Sequence, residues 1–182
     1  MNENKFDPKK LKKLNNPSRL NDIPPARICA MLGMEKMDVL VEIGAGTGFF
    51  TQAFQQQYSA STVYACDISD VMLDWMRKNI IPEFPSIVPI KSEEYAVPLD
   101  DEIADMVFMI NLHHELEQPA LSVKESFRLL RKGGKLLIID WKKEEMDEGP
   151  PEKIRCLVED VTEQLEDAGF QSILLSTELP KH

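Results

Sequence analysis

The sequence lacks several features that would have indicated a particular class of protein. No apolar run approaches the roughly 20 residues that span a membrane, and no apolar segment near the N-terminus resembles a secretion signal. Cysteine is scarce, and Cys29, Cys66 and Cys156 are odd in number, widely spaced and without metal-ligand spacing. We therefore expect buried, reduced thiols and a cytoplasmic location.

The charge balance is acidic, with 31 Asp and Glu against 21 Lys and Arg and a formal net charge of -10. Phosphate contacts need a basic face, so this balance argues against a nucleic-acid partner. The 182 residues and the apolar share of 43% are typical of one globular domain with a real core. We expect a single domain over residues 1–182, with a helical arm at 1–35 and an α/β core at 36–182.

Residues 1–22 of the N-terminal arm are locally basic. Pro8 can begin a short helix there, and Pro24-Pro25 can begin another over residues 26–32. The plainer interpretation is a solvated helical arm. The alternative is a flap over the ligand site, or a substrate-side lid with a basic surface.

The remainder alternates strand-like and helix-like patterns. Apolar and β-branched runs predict six strands, at residues 39–43, 61–67, 87–90, 105–110, 135–140 and 171–177. Helical apolar spacing predicts helices at residues 49–58, from a cap at Ser69 or Asp70 to about Ile80, from Pro119 to the Lys132-Gly133-Gly134 turn, and at 154–168. Such alternation predicts an α/β fold, with right-handed crossovers, a doubly wound, mainly parallel sheet and helices on both faces.

A glycine-rich turn follows the first strand, with the sequence Glu42-Ile-Gly44-Ala-Gly46-Thr-Gly48. Glycine allows a tight turn and a close ligand approach, and the N-terminus of the next helix faces that turn. The third glycine comes one residue too early for the dinucleotide fingerprint, and the Gly-Lys-Ser/Thr of a phosphate loop is absent. No Lys or Arg lies between residues 39 and 58. The acidic Glu42 therefore favours a ligand with positive charge and no phosphate.

These features resemble the motifs of the class I S-adenosylmethionine-dependent methyltransferases. The glycine run resembles their first motif, and Asp67 at the end of the second strand is similar to the acid that binds the ribose hydroxyls. Lys91-Ser-Glu-Glu94 resembles the third motif, where an acidic side chain meets the adenine amine. We place Glu93 in that role, with Glu94 as its neighbour.

Two further segments are similar to family motifs, at residues 98–105 before the fourth strand and 128–136 before the fifth. The resemblance covers residues 36–177 and is closest to the small-molecule branch that includes the ubiquinone/menaquinone biosynthesis C-methyltransferases. It implies a Rossmann-like transferase with S-adenosyl-L-methionine as cofactor, S-adenosyl-L-homocysteine as product and a small-molecule methyl acceptor; a homodimer is left open. The cofactor-binding residues that it implies are Glu42, Gly44, Ala45, Gly46, Gly48, Asp67, Ile68, Met72, Ser92, Glu93, Glu94 and Asn111.

One element of the family's sheet is missing from this chain. The family's last strand runs antiparallel beside strand five, whereas this sequence stops at residues 179–182, where that strand should begin. Without it, strand six would have no neighbour for its backbone groups. We expect a truncated sequence; the alternative is that another segment fills the gap.

Few residues are candidates for chemistry. The methyl group of a sulfonium is already activated, so proximity and orientation can supply most of the effect, and a base is needed only if the acceptor must lose a proton. His113 and His114 follow the fourth strand, and we take His114 as the candidate base with Glu115 as its orienter. The plainer alternative is a histidine bonded to a helix end or to Glu115. Adjacent residues rarely converge on one ion, so no metal is expected.

Residues after the fifth strand are open to two interpretations. Trp141 can line an apolar acceptor pocket or only cover the sheet, and Lys142 and Lys143 are more often solvated than catalytic. The leading hypothesis is methyl transfer to a small molecule. The alternative is a non-catalytic S-adenosylmethionine-binding or regulatory protein of the same fold. An NAD-dependent oxidoreductase would need the pyrophosphate turn that this sequence lacks.

Overall fold

The computed structural model describes residues 11–33 and 36–182, so the predicted helix start at Pro8 lies outside the described residues. The helices are α1 (Leu11–Leu14), α2 (Arg19–Asp22), α3 (Pro25–Leu32), α4 (Phe49–Tyr58), α5 (Asp70–Asn79), α6 (Pro119–Leu129) and α7 (Val158–Ala168). The strands are β1 (Val39–Ile43), β2 (Thr62–Asp67), β3 (Ile87–Lys91), β4 (Ala104–Ile110) and β5 (Leu130–Ile139). None of the described helices is both long enough and apolar enough to cross a bilayer.

The five strands form one parallel sheet in the order β3-β2-β1-β4-β5. The chain builds outward from β1 to β3 and then returns to the other side of β1 with β4. This reversal places a switch point at the carboxyl ends of β1 and β4, where open α/β sheets bind their ligands. The predicted α/β class with a doubly wound parallel sheet is confirmed.

Apolar side chains cover both faces of the sheet. On one face Phe54 of α4 packs against Phe108 of β4, with ring centroids 4.9 Å apart. On the other face Val107 of β4 and Leu129 of α6 belong to a second buried cluster. Every residue of β4 is buried, as expected for a central strand of a parallel sheet covered by helices on both sides.

The boundary between α6 and β5 differs from the prediction. The helix ends at Leu129 rather than at the glycine pair, and the strand begins at Leu130, whose backbone is extended and pairs with Ala104. The register then shifts before Met106. A Cβ on Gly134 would lie 2.9 Å from the Arg131 carbonyl oxygen, so the glycine pair permits a tight irregularity within the strand rather than separating two elements.

The predicted start of the last helix is also wrong, because α7 begins at Val158 instead of Ile154. Arg155 interrupts the helical pattern with an extended backbone and a buried guanidinium. That group donates to four backbone carbonyls at 2.6 to 3.1 Å, those of Lys142, Glu144, Glu148 and Pro150. These bonds order the loop after β5 and hold the chain out of the helix.

The predicted sixth strand at residues 171–177 is wrong. The segment is irregular and pairs with none of the described strands, and its Leu174 is 77% exposed. The physical reason is that a strand must pair its backbone N–H and C=O groups. Within the described part of the chain β5 pairs only with β4, so no neighbouring strand reaches this segment.

The cysteines form no disulfide. Cys29 and Cys66 are buried, as expected, whereas Cys156 is only partly buried. Burial raises the pKa of the Cys29 thiol above its ordinary value, which keeps that group in its unreactive thiol form.

Candidate functional site

A cavity of about 190 Å³ lies at the carboxyl ends of the central strands. Its walls come from the glycine turn after β1, the end of β2, the segment after β3, the segment after β4 and two residues of the arm. All predicted cofactor-binding residues line it except Gly48 and Met72. The side chain of Met72 is buried within the protein, because it faces the core side of α5.

The three glycines of the turn all have positive φ, between +56° and +76°. The amides of Gly44 and Ala45 both donate to the Cys66 carbonyl at 2.9 Å, which ties the turn to β2. A Cβ on Gly46 would meet nothing within 4 Å, whereas one on Gly48 would lie 3.1 Å from Met76. Gly46 therefore borders open space in the cavity, and Gly48 lets α4 pack against α5.

Gly44 is constrained both by its backbone and by its surroundings. A Cβ there would lie 2.7 Å from the Leu112 side chain at φ +73°. We expect Gly44→Ala to lower the free energy of unfolding by about 2 kcal/mol, from backbone strain plus overlap. Urea unfolding would measure this loss.

Gly33→Ala is the matched control for that substitution. Gly33 also has positive φ, at +63°, but its Cβ would meet nothing within 4 Å. It therefore measures the backbone contribution alone, about 1 kcal/mol. Equal losses in the two variants would contradict an overlap with Leu112.

Asp67, the last residue of β2, connects the glycine turn to α5. One carboxylate oxygen accepts the Gly46 amide at 2.7 Å and the other accepts the Ser69 amide at 2.8 Å. Burial raises the pKa of Asp67 above its usual range, and the two amides oppose that shift. A carboxylate has about four lone-pair sites, so Asp67 can accept further hydrogen bonds from hydroxyl groups in the cavity.

Glu42, near the end of β1, is 2% exposed and accepts the Thr51 hydroxyl. Burial raises the pKa of Glu42 to about 8, although the Thr51 bond and the charge of Arg19 oppose the shift. A neutral carboxylic acid is therefore favoured at neutral pH even with Arg19 nearby. A cation in the cavity would favour the charged form.

Arg19 of α2 brings the arm to the cavity. Its guanidinium lies 4.6 Å from the centroid of the Phe50 ring and donates to the Leu14 carbonyl at 2.6 Å. Both Arg19 and Leu14 line the cavity, which is the placement that the flap interpretation requires. Sequence motifs did not indicate Arg19, because it comes from a separate helix and follows no spacing rule.

The segment after β3 forms one end of the cavity. Ser92 is buried there and Glu93 is exposed. Glu94 also lines the cavity, but one of its carboxylate oxygens accepts the backbone amides of Glu117 and Gln118 at the N-terminus of α6. Glu94 thus stabilises a helix end, where a negative charge is favourable, and Glu93 is the more available carboxylate.

Asn111 follows β4 and adopts positive φ, at +55°. Its backbone amide donates to the Ile139 carbonyl at 2.8 Å. Its side-chain Oδ1 is buried and has no hydrogen-bond partner among the described residues. A buried acceptor without a partner is costly, so this oxygen is suited to receive a donor from a bound ligand.

Neither predicted catalytic histidine lines the cavity. The short 3₁₀ helix His113–Glu115 directs His113 to α7, where its Nε2 lies 2.9 Å from Oε1 of Gln164. Burial lowers the pKa of His113 below its ordinary value. The His114 ring is directed to the end of β5, where Nδ1 lies 2.7 Å from Oδ1 of Asp140.

The carboxylate nearest to the His114 ring is therefore that of Asp140, and the expected orienter, Glu115, lies farther away. Glu115 lines the cavity itself, and its Oε1 lies 3.7 Å from His114 Nε2. Adjacent side chains of a 3₁₀ turn point in different directions, so the His114 ring faces Asp140 whereas Glu115 faces the cavity.

The aromatic and basic residues after β5 also lie away from the cavity. Trp141 packs against the ring of His182, with centroids 4.6 Å apart. Lys142 donates to the Leu179 carbonyl at 2.6 Å, and Lys143 donates to the Arg155 carbonyl at 2.6 Å. Of the two interpretations of Trp141, the structure favours packing over the lining of a pocket.

Comparison with known proteins gives a consistent picture. The family model described as a methyltransferase domain matches residues 41–138. The crystal structure of a SAM-dependent methyltransferase from Aquifex aeolicus matches with a TM-score of 0.83 and 34% identity, covering 91% of this chain and 89% of that chain.

Two curated relatives match over shorter stretches. An uncharacterized methyltransferase-like protein of Schizosaccharomyces pombe is 30% identical over 106 residues, which is 58% of this chain and 39% of that protein. The ubiquinone/menaquinone biosynthesis C-methyltransferase of Pasteurella multocida is 25% identical over 118 residues, 63% of this chain and 44% of that protein. The chain therefore spans less than half the length of these two relatives.

Proposed function

The chain belongs to the S-adenosylmethionine-dependent methyltransferases, with S-adenosylmethionine as the cofactor, and from this premise we propose that it methylates a small-molecule acceptor. The observation that carries the proposal is the cavity, which is about 190 Å³ in volume and has Leu14 and Arg19 of the arm among its walls. The cavity is small for a ligand pocket, and the arm residues close one of its sides, which favours a small acceptor over a polymer. The net charge of -10 also opposes a nucleic-acid acceptor.

The donors and acceptors in the cavity fit the parts of the cofactor. Asp67 has lone pairs left for the two ribose hydroxyls, and Glu93 is an exposed carboxylate for the adenine amine. Glu42 can become charged beside the ammonium and sulfonium groups, and Oδ1 of Asn111 has no hydrogen-bond partner within the described part of the chain. We assign these four residues to the cofactor, together with the backbone of the Gly44–Gly48 turn.

Arg19 is the lone basic side chain among the described residues that line the cavity. We assign it to the cofactor's carboxylate, because a guanidinium forms paired hydrogen bonds with that group. Its position on the Phe50 ring fixes the guanidinium before a ligand arrives. The arm would then exclude water from one side of the cofactor.

The proposed mechanism depends mainly on placement. The bound cofactor supplies a methyl group already activated by a sulfonium. The chain's own residues hold the reacting groups in line and exclude water. In well-oriented cases this placement lowers the barrier by about 7 kcal/mol or more.

Three expectations stay predictions from the sequence. They are the single domain with an arm that ends before residue 36, a homodimer and a cytoplasmic location.

The test combines binding with turnover. We expect micromolar binding of S-adenosylmethionine by calorimetry, and release of S-adenosylhomocysteine with at least one member of a panel of quinols, phenols and small amines. The control is the same panel without protein. Tight cofactor binding with no release on any acceptor would instead favour the alternative, a non-catalytic binding or regulatory protein.

A further inference from the structure

We propose that residues 177–182 form a strap that holds the arm against the cavity, and that Lys181 of this strap positions Arg19 for the cofactor. The inference rests on the proposed function, because Arg19 is the side chain assigned there to the cofactor's carboxylate. It adds a positioning residue that does not itself line the cavity and is far from Arg19 in the sequence.

The first two helices of the arm contribute little by themselves to the position of Arg19. α1 and α2 have four residues each, and neither contains a buried residue. Helices this short are unstable in water on their own, so their placement depends on contacts with other segments. The position of Arg19 at the cavity wall therefore depends on what holds α2.

An ion pair joins α2 to the strap. Lys181 Nζ donates to Oδ2 of Asp22 at 3.0 Å, and Asp22 lies three positions after Arg19 on the same short helix. The two side chains of the pair are only 28% and 27% exposed, so water and salt screen them less than a surface pair. Among the ion pairs between described residues, this is the one that involves α2.

Apolar packing reinforces the ion pair. Leu179 of the strap belongs to the same buried cluster as Ile23, which directly follows α2, and Ile28 of α3. Arg27 of α3 also pairs with Glu178, 2.7 Å apart, but both of these side chains are at least half exposed. Exposed pairs contribute little, so we expect the buried leucine and the Lys181 pair to hold the arm.

The strap is itself fixed to the segment that follows β5. Lys142 Nζ donates to the carbonyls of Thr177 at 3.1 Å and Leu179 at 2.6 Å, and the Lys142 backbone amide donates to the Lys181 carbonyl at 3.1 Å. Lys181 Nζ also donates to Oε2 of Glu148, in the loop after β5, at 2.7 Å. Lys181 is therefore held from the sheet side and connects that side to α2.

This connection would raise cofactor affinity by preparing the binding position in advance. A guanidinium that is already held in place loses less conformational freedom when a ligand arrives, so more of the interaction energy appears as affinity. Without the strap, α2 would be free to move Arg19 away from the Phe50 ring. The loss should fall on ligands that carry a carboxylate, because that is the group assigned to Arg19.

The experiment measures the affinity for S-adenosylhomocysteine by calorimetry in matched variants. Lys181→Met and Asp22→Asn should each raise Kd about three- to fivefold, the upper part of the range for pairs of this kind. Lys181→Arg keeps the cation and should largely preserve the affinity. Lys124→Met, the same change at an exposed site on α6, should leave Kd unchanged.

The two acceptors of Lys181 provide an internal comparison. Glu148→Gln changes the acceptor in the loop and leaves the pair with Asp22 intact, so it should raise Kd less than Asp22→Asn does. Hydrogen exchange of the cofactor-free chain should be faster over residues 19–32 in Lys181→Met and unchanged over residues 39–43 of β1. An unchanged β1 would exclude general unfolding as the cause of the lower affinity.

A second ligand tests whether the strap acts through Arg19. 5′-Methylthioadenosine contains the adenosine and sulfur of the cofactor but has no carboxylate. Lys181→Met and Arg19→Met should both weaken S-adenosylhomocysteine and leave the affinity for 5′-methylthioadenosine nearly unchanged.

The outcomes separate the role of the strap from the proposed function. Unchanged affinity for S-adenosylhomocysteine in Lys181→Met, or an equal loss for both ligands, overturns the positioning role while cofactor binding stands. An effect of Glu148→Gln as large as that of Asp22→Asn would show that Lys181 orders the loop instead of the arm. Failure of the unmodified chain to bind S-adenosylhomocysteine overturns the proposed function and the role of the strap together.

Discussion

Asp67→Ala is expected to weaken the binding of S-adenosylmethionine by about 10²- to 10⁴-fold. The Asp67 carboxylate would accept both ribose hydroxyls, and hydrogen bonds to a charged group are worth about 1.5–3 kcal/mol each. Two such bonds correspond to about 3–6 kcal/mol, which gives the stated range. The substitution also removes the acceptor of the Gly46 amide, so the glycine turn loses one of its restraints.

Calorimetry with S-adenosylmethionine and S-adenosylhomocysteine would measure this loss. Asp74→Ala is the matched control, since Asp74 lies on α5 and pairs with Arg77 at the surface, 2.9 Å apart with both side chains more than half exposed. Surface pairs of this kind contribute little, so the control should bind normally. An unchanged affinity in Asp67→Ala would show that the ribose assignment is wrong.

Glu42 is expected to make both stability and cofactor binding depend on pH. Burial raises the pKa of Glu42 to about 8 from its ordinary 4.5, so the folded chain holds a proton that the unfolded chain releases. The stability contributed by this proton is fully present below pH 4.5 and is lost as the pH rises through about 8. Between pH 4.5 and about 8, the contribution of Glu42 to the free energy of unfolding should fall by about 1.4 kcal/mol per pH unit.

Urea unfolding of the cofactor-free chain between pH 5 and 8 would measure the slope. Glu42→Gln cannot ionise, so its curve should lack this contribution and the variant should gain relative stability at the upper end. Glu83→Gln changes an exposed carboxylate and should keep the original slope. Parallel curves for the unmodified chain and Glu42→Gln would contradict a buried, protonated Glu42.

The same proton should appear in the binding reaction. A cationic ligand beside Glu42 favours the carboxylate, so binding at pH 6.5 should release nearly one proton per cofactor. Calorimetry in two buffers with different ionisation enthalpies measures that number. Proton release should disappear in Glu42→Gln, whereas Glu83→Gln should release as much as the unmodified chain.

The sheet could be predicted because its signals are local. Each parallel strand is a short apolar run, and the carboxyl ends of parallel strands meet at one edge. Residues as distant in sequence as Glu42 and Glu93 were therefore expected together, and the structure brings both to one cavity. Gly48 was placed in the same group because it belongs to the same motif, although its role is to let Met76 pack closely.

The features that could not be predicted depend on contacts between distant segments. The start of α7 is set by Arg155, whose four carbonyl partners belong to the preceding loop. The segment at residues 171–177 has strand-forming residues, but strand propensity acts only where a neighbouring strand is present. Arg19 reaches the cavity because the arm docks on the Phe50 ring, and no local pattern encodes that docking.

The bond from Glu94 to the start of α6 has a consequence for how substitution energies combine. Glu94 lies after β3, and the amides that it holds, Glu117 and Gln118, come just after Glu115. The two ends of the cavity therefore share a common restraint. Changes at Glu94 and Glu115 act on one cooperative unit, so their free energies will not sum as those of independent sites do, and only a double-mutant cycle can apportion them.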